Sequence, residues 1–443
     1  MRNMRRIGYY LFALSLLLCG WARAEEAWAV SVQVRACAFG PGVCGVIIRL
    51  EPAAEAEGKD VQVTTGGVER QVARVLLCDE QGRPVQAPSD RVLLALSDQH
   101  MTACPLFETD SETGHQDWVR TYEVSVEGSL ILDGAEKRIA MCQDSIGRRV
   151  CADSDLFSAR ESFTQEELNP MSGRMEIQTI RLAAYEPETL QGGAPNPLIV
   201  WLHGAGEGGT NLDVAVLGNE VTLLAKEAIQ RHFTSEDGVT GAYVLLPQCE
   251  TLWMDEGDGE NWEGTGVSRY TKVLMDAIAH YVESHPDVDR NRVYLGGCSN
   301  GGYMTLNLLT EYPGFFAAAF PVCEAYDTSD QPQRIAVLAG QSIWFVHSAD
   351  DHVVDPGRYV IPTYVDLVFE EAEDCWLSMF DGYRHAVWNA VFHDLVNGVQ
   401  DPDDVFENSA ATPDREKGGA FTAHGVANLF DWLGAHALSG GEK

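Results

Sequence analysis

A serine hydroxyl attacks a carbonyl only when a base takes its proton, and the base in turn needs a carboxylate to hold its tautomer. Ser299 stands in a setting suited to that chemistry. It is the centre of Gly297-Cys298-Ser299-Asn300-Gly301, between the apolar run RVYL (292–295) and the helix-like GGYMTLNLLTEY (301–312). This is a G-x-S-x-G turn, in which the serine occupies a strained strand-to-helix apex and the flanking glycines leave room for the reversal. Cys298 offers a second nucleophile, yet centring the turn on it puts Asn300 where the second glycine must be. The register selects Ser299 and leaves Cys298 as a packed or disulfide-bonded neighbour.

In this motif the acid and then the base follow the nucleophile in chain order. SIWFVHSADDHVVDP (342–356) reads as a strand running into a loop with Asp350, Asp351 and Asp355. Asp351, four residues past His347 and followed by Val353-Val354, is the expected acid, with Asp350 the alternative. CWLSMFDGYRHAVWNAVF (375–392) repeats the strand-then-loop pattern and carries His385, the expected base. His203, His232, His280, His285, His347, His352, His393 and His424 are its competitors, and His424 alone lies late enough in a different loop to rival it.

An acyl-transfer serine also needs two backbone N–H groups aimed at the developing oxyanion. One is expected from Asn300, directly after the nucleophile. The other is expected from Ala205 or Gly206 in HGAGEGG (203–209), where small residues let main chain approach a substrate. Glu207 in that loop either orders it or contacts substrate. CETLWMDEGDGENW (249–262) follows another strand end, so Trp253 and Trp262 are candidate platforms for an aromatic acid or a sugar, with loop packing as the competing role. No G-x-x-x-x-G-K-[ST] pattern, no C-x-x-C pair and no H-E-x-x-H appears, so no cofactor and no metal is expected.

These residues need a scaffold. From about residue 174 the runs PLIVWL, GAYVLLP, RVYLGG, GFFAAAFPV, SIWFVHS and CWLSMF alternate with helix-like stretches; in one of these Val267, Tyr270, Val273, Leu274, Ile278, Tyr281 and Val282 recur at helical spacing. Strands separated by helices predict a mostly parallel α/β sheet with working loops at the strand carboxyl ends. Residues 25–158 instead show short β-branched runs broken by turn signals, the pattern of an all-β sandwich. The polar stretch within 159–174 reads as a linker or short helix, and the catalytic domain as 175–437.

The chain has 443 residues, 45% hydrophobic and 22% charged, enough for two folded domains with a sizeable core. Residues 1–24 carry Arg2, Arg5 and Arg6 ahead of an apolar run (7–18) and end in Ala22-Arg23-Ala24, a signal-peptide pattern. That run is shorter than the roughly 20 residues needed to span a bilayer. A secreted or periplasmic protein is expected, with no membrane association after cleavage. Losing four arginines and no acid takes the formal charge from −35 to −39, a self-repelling surface that argues against nucleic-acid partners. Ten cysteines remain of eleven, an even number that favours disulfides within each half in an exported chain.

The segments PLIVWLHGAGEGG, YVLLPQC, VDRNRVYLGGCSNGGYMT, HSADDHVV and RHAVW resemble exported α/β-hydrolase esterases of the polyhydroxybutyrate depolymerase and feruloyl esterase kind, a group also described as prolyl-oligopeptidase-like peptidases. The resemblance covers about residues 175–437 and implies a triad of Ser299, Asp351 and His385. The N-terminal half resembles, more weakly, the immunoglobulin-like domain that precedes some such esterases. Asp355 departs from the family, which often carries proline there, and so keeps Asp350 open. The expected activity is hydrolysis of a small-molecule or polymeric carboxylic ester through an acyl-enzyme. The alternatives are a serine peptidase and a secreted binding protein with a relic hydrolase domain.

Overall fold

The computed structural model describes residues 30–97, 106–146, 148–187, 195–233, 241–259, 264–329, 331–399 and 428–439. The expected signal peptide, Cys104, Trp262 and His424 lie outside these residues. The chain forms two compact units, one of residues up to Glu108 with Trp118–Asp153, the other of Thr109–Asp117 with Ser154 onward.

The first unit is all-β. Its strands are β1 (Val30–Cys37), β2 (Gly40–Ala53), β3 (Ala56–Thr65), β4 (Val68–Arg70), β5 (Val72–Leu77), β6 (Ser89–Leu96) and, after a ribbon of β7 (Phe107–Thr109) and β8 (Gln116–Trp118) whose Thr109–Asp117 portion belongs to the second unit, β9 (Val124–Leu132), β10 (Ala135–Gln143) and β11 (Arg149–Val150). They make one sheet in the order β11-β1-β2-β6-β5 and another in the order β10-β9-β3-β4. Alternation drives this: in β1, Val30, Val32, Val34 and Ala36 are buried while the residues between them are not. The β9–β10 hairpin turns on Asp133-Gly134, both at positive φ (48° and 82°), as a two-residue hairpin loop requires.

The second unit is an eight-stranded sheet in the order β12-β13-β15-β14-β16-β17-β18-β19, from β12 (Ala159–Leu168), β13 (Met175–Tyr185), β14 (Asn196–Leu202), β15 (Tyr243–Gln248), β16 (Val288–Cys298), β17 (Ala318–Val322), β18 (Ile343–Ser348) and β19 (Cys375–Phe380). β12–β13 and β13–β15 are antiparallel; every other pairing is parallel. The inner strands β14, β15, β17 and β18 are buried at every residue, which is why they read as unbroken apolar runs. Helix α1 (Thr271–Ser284) buries Val273, Leu274, Ile278, Tyr281 and Val282 of the face its spacing predicts, while Tyr270 and the exposed Val267 precede it. Helix α2 (Asn300–Glu311) follows the elbow and is buried through its first ten residues.

Two expectations change here. Much of the polar stretch expected as a linker or short helix is β12, paired along its length with β13 from Ala159↔Ala184 to Leu168↔Met175. It is an edge strand, so only Ala159 and Phe163 pack on the core, and the rest are polar apart from the exposed Leu168, which hid the period-two pattern. The expected disulfides are also absent: no bridge joins any two described cysteines, and Cys78, Cys249, Cys298, Cys323 and Cys375 are buried free thiols. Cysteine packs as a small hydrophobe, so an even count does not require bridges.

Candidate active site

Three parallel strands deliver the expected chemistry to one edge. β16 runs into Ser299, β18 runs into Asp351, and β19 leads to His385. Ser299 has φ 56° and ψ −115°, a conformation costing roughly 1–3 kcal/mol for a residue with a side chain. Its N–H donates to Val322 O (2.9 Å) on β17, and its carbonyl accepts from Tyr303 N–H (2.9 Å), so strand and helix share the apex. The glycines are there for room. A Cβ on Gly301 would lie 2.0 Å from Leu202 O, and one on Gly297 would lie 2.6 Å from the Gly301 backbone.

His385 Nε2 is 3.0 Å from Ser299 Oγ, and His385 Nδ1 is 2.8 Å from Asp351 Oδ2. Asp351 is 3% exposed. Its other oxygen, Oδ1, accepts from Val353 N–H (2.8 Å) and Val354 N–H (3.0 Å). Burial alone would raise this carboxyl, but contacts with His347 and His385 and the Val354 amide bring it well below the usual carboxylate range. An ionised Asp351 accepts from His385 Nδ1–H, which leaves Nε2 with the lone pair facing the serine. His347, on β18, sets Nε2 3.0 Å from Val354 O and 3.5 Å from Asp351 Oδ2, so it backs the acid.

Asp350 faces elsewhere. Its Oδ1 accepts from the Ser348 hydroxyl (2.6 Å), Gly382 N–H (3.1 Å) and Arg384 N–H (3.0 Å), and these hydrogen bonds, the Ser348 one first, lower its carboxyl. Gly382 and Arg384 sit at φ 81° and 52°, so Asp350 clamps the irregular loop that presents His385.

The loop after β14 abuts the elbow: a Cβ on Gly204 would lie 3.8 Å from Cys298 O. Ala205–Glu207 is one turn of 3₁₀-helix, whose first N–H groups have no partner within the turn. Glu207 folds back beneath it, accepting from Gly204 N–H (2.8 Å) and from Asn219 Nδ2 (2.9 Å). Burial pushes its carboxyl up to about 8. Gln116, in the Thr109–Asp117 segment of the same unit, donates Nε2–H to Gly206 O (2.9 Å). His203 is buried, 3.3 Å through Nε2 from Cys249 N–H, with its ring tilted against that of Trp253 at 4.8 Å; burial brings it down to about 4, so it is neutral.

Trp253 is not a substrate platform. It is wholly buried, its N–H donating to Asn300 Oδ1 (2.5 Å) and its indole N–H to His203 O (3.1 Å). It ties the loop after β15 to the elbow and to the end of β14. Its partner in the expectation, Trp262, lies outside the described residues. Cys298 is also buried, and burial raises its thiol well above the ordinary value, so it is not a thiolate. Sequence reasoning missed Trp388, whose ring stands edge-on 5.4 Å from that of His385, although RHAVW contains it. It also missed Cys323, which reaches the site only because β17 lies between β16 and β18.

The prolyl oligopeptidase family matches residues 255–335, a segment that contains α1, the elbow and α2. The crystal structure of a thermostable esterase shares the fold, with a TM-score of 0.63 and 22% identity over 82% of this chain and 96% of that one. An acylaminoacyl peptidase from Pyrococcus horikoshii is 18% identical over 65% of this chain and 48% of its own, with a TM-score of 0.37, so the chain spans about half its length. A ferulic acid esterase from Anaeromyces mucronatus, in complex with ferulic acid, is 14% identical over 53% of this chain and 87% of its own, again with a TM-score of 0.37. No curated protein matches the chain. Sheet order, elbow and the first of these likenesses define an α/β-hydrolase fold. With the prolyl oligopeptidase family match across the elbow, this supports a hydrolase of the serine type.

Proposed function

We propose that the protein is an exported carboxylic ester hydrolase that works through an acyl-enzyme on Ser299, with an immunoglobulin-like N-terminal domain. The observation that carries this reading is the hydrogen-bonded run Ser299 Oγ, His385 Nε2, His385 Nδ1, Asp351 Oδ2, at 3.0 and 2.8 Å. His385 takes the proton as Ser299 Oγ bonds to the ester carbonyl carbon. Charge moves to the carbonyl oxygen, where the amides of Asn300 and of Ala205 or Gly206 receive it. As the tetrahedral intermediate collapses, the alcohol leaves with the proton from His385. Water then repeats both steps on the acyl-enzyme, returning serine and releasing the acid. No step calls on a metal or cofactor.

The esterase whose fold this chain shares over 96% of its length favours an ester over a peptide substrate. The prolyl oligopeptidase family match favours a second reading, a peptidase using the same groups. Fluorophosphonate labelling of the full chain, of Ser299→Ala and of Cys298→Ala tests the nucleophile, and parallel ester and peptide panels separate the substrates. Labelling should vanish in Ser299→Ala alone. Labelling that survives there, or is lost in Cys298→Ala with the fold intact, overturns the assignment.

A further inference from the structure

Cys323 follows the last residue of β17, between the strands that carry the nucleophile and the acid. Its position is fixed by the sheet: Cys323 N–H donates to Val346 O (2.8 Å), and the preceding Val322 O accepts the Ser299 N–H. Its φ is 38°, in the left-handed region that favours glycine, yet a side chain is present and wholly buried. The thiol is free, and its Sγ, a carboxylate oxygen of Asp351 and a ring nitrogen of His385 all lie within 4.8 Å of one another. Among the described residues this is the one group of three or more such donors. Cys249 approaches His203 Nε2 at 3.6 Å, but no carboxylate joins that pair.

We propose that Cys323, Asp351 and His385 form a site for a thiophilic divalent cation, zinc or cadmium, and that its occupation switches the hydrolase off. A sulfur, an imidazole nitrogen and a carboxylate oxygen are three ligand types that zinc takes, at about 2.3, 2.0 and 2.1 Å. Tetrahedral bonding at those lengths sets the donors roughly 3.3–3.6 Å apart, against separations of no more than 4.8 Å in the structure. Binding breaks the Cys323 S–H bond, releases that proton to water and forms the sulfur–metal bond. The His385 lone pair and the carboxylate complete three ligands, and water supplies a fourth. Thiolate and carboxylate together cancel the dication, so the occupied site is neutral. Without the ion, burial keeps the thiol protonated and inert. Once His385 has given a ring nitrogen to the metal, it has no free lone pair with which to take the Ser299 proton.

Only the inhibitory consequence rests on the proposed triad; the site itself can be tested without catalysis. In Ser299→Ala, calorimetry with zinc chloride should find one site, and cobalt(II) should give the near-ultraviolet thiolate-to-cobalt charge-transfer band. Cys323→Ser should abolish that band. In the wild type, zinc should block ester turnover and fluorophosphonate labelling, and a chelator should restore both. Cys323→Ser should keep its basal activity and need at least about a hundredfold more zinc, since even partners outside the ligand set are worth 10–100-fold in metal affinity. Cys323→Gly, which suits the positive φ, is the second variant if the serine form folds poorly. Equal zinc sensitivity of wild type and both variants, or a cobalt spectrum without the thiolate band, overturns the site. If labelling fails in every form while the cobalt band holds, the triad reading falls and the site stands.

Discussion

Replacing Asp351 by asparagine changes one atom, and the surroundings dictate where it goes. Oδ1 of Asp351 receives two amides, from Val353 (2.8 Å) and Val354 (3.0 Å), at a residue 3% exposed. An asparagine with its NH2 toward those amides would leave donors facing donors, at about 1–3 kcal/mol for each buried group left unpaired. Two such groups amount to roughly 2–6 kcal/mol, enough to fix the carbonyl on the amides and the NH2 toward His385. His385 Nδ1 must then accept, which puts the imidazole hydrogen on Nε2 and points it at Ser299. A protonated Nε2 cannot take the serine proton. Turnover of a p-nitrophenyl ester at pH 7 should fall about 10⁴-fold, with the melting temperature little changed. Asp350→Asn, one residue away, is the control, because Asp350 serves the loop and not the ring. Activity of Asp351→Asn above a tenth of wild type, or a loss in Asp350→Asn as large as in Asp351→Asn, would refute the reasoning.

Asp350→Ala frees the amides of Gly382 and Arg384 and should cut kcat by about 10–100-fold, the scale of an ångström's misplacement, with KM near wild type; unchanged kcat counts against the clamp. Gly301→Ala sets a Cβ 2.0 Å from Leu202 O and should cost at least the roughly 1–3 kcal/mol of an overpacked core, read as a fall in the urea midpoint. Glu324 is wholly buried, Oε2 accepting from Tyr326 N–H (2.6 Å), and burial pushes its carboxyl up to about 8. A carboxyl raised on folding stabilises most below its unfolded value and loses that contribution as pH climbs toward 8, at about 1.4 kcal/mol per unit. Stability should therefore fall between pH 5 and 8, and Glu324→Gln, which keeps the acceptor, should flatten the slope; an unaltered slope removes Glu324 as its cause. Glu207, held up to about 8 by burial, acts in the same direction, so the slope persists in part.

What could be read from the chain depended on whether a role is local. The G-x-S-x-G spacing is local, because Gly297 and Gly301 must admit backbone from Leu202 and from each other within one turn. The strand-then-loop pattern is local too, so Asp351 and His385 could be named from where apolar runs stop. Separating Asp351 from Asp350 was not local. Each accepts backbone N–H groups, and only the side of the loop on which each carboxylate falls makes one a partner of His385 and the other a clamp on Arg384. Trp253 misled for a related reason: a tryptophan after a strand end reads as mouth-lining, but its ring turns inward to donate to His203 O. β12 was missed because an edge strand needs few apolar residues, and the cysteines because burial in a large core satisfies them as well as a bridge does.

Cys323 is the extreme case. Nothing adjacent in sequence marks it, since its position beside the triad follows from sheet order: β17 stands between β16 and β18, so its final turn delivers a thiol between nucleophile and acid. The strand ends that supply acid and base to the serine, with that of β17 beside them, also gather a sulfur, a nitrogen and an oxygen around one point. A site that must have His385 free for proton transfer therefore holds, within 4.8 Å of a ring nitrogen of His385, the other two donors that could take that nitrogen out of use. Reactivity and susceptibility to a soft cation come from one geometry, so a substitution at Cys323 should separate them while one at Asp351 or His385 should lose both.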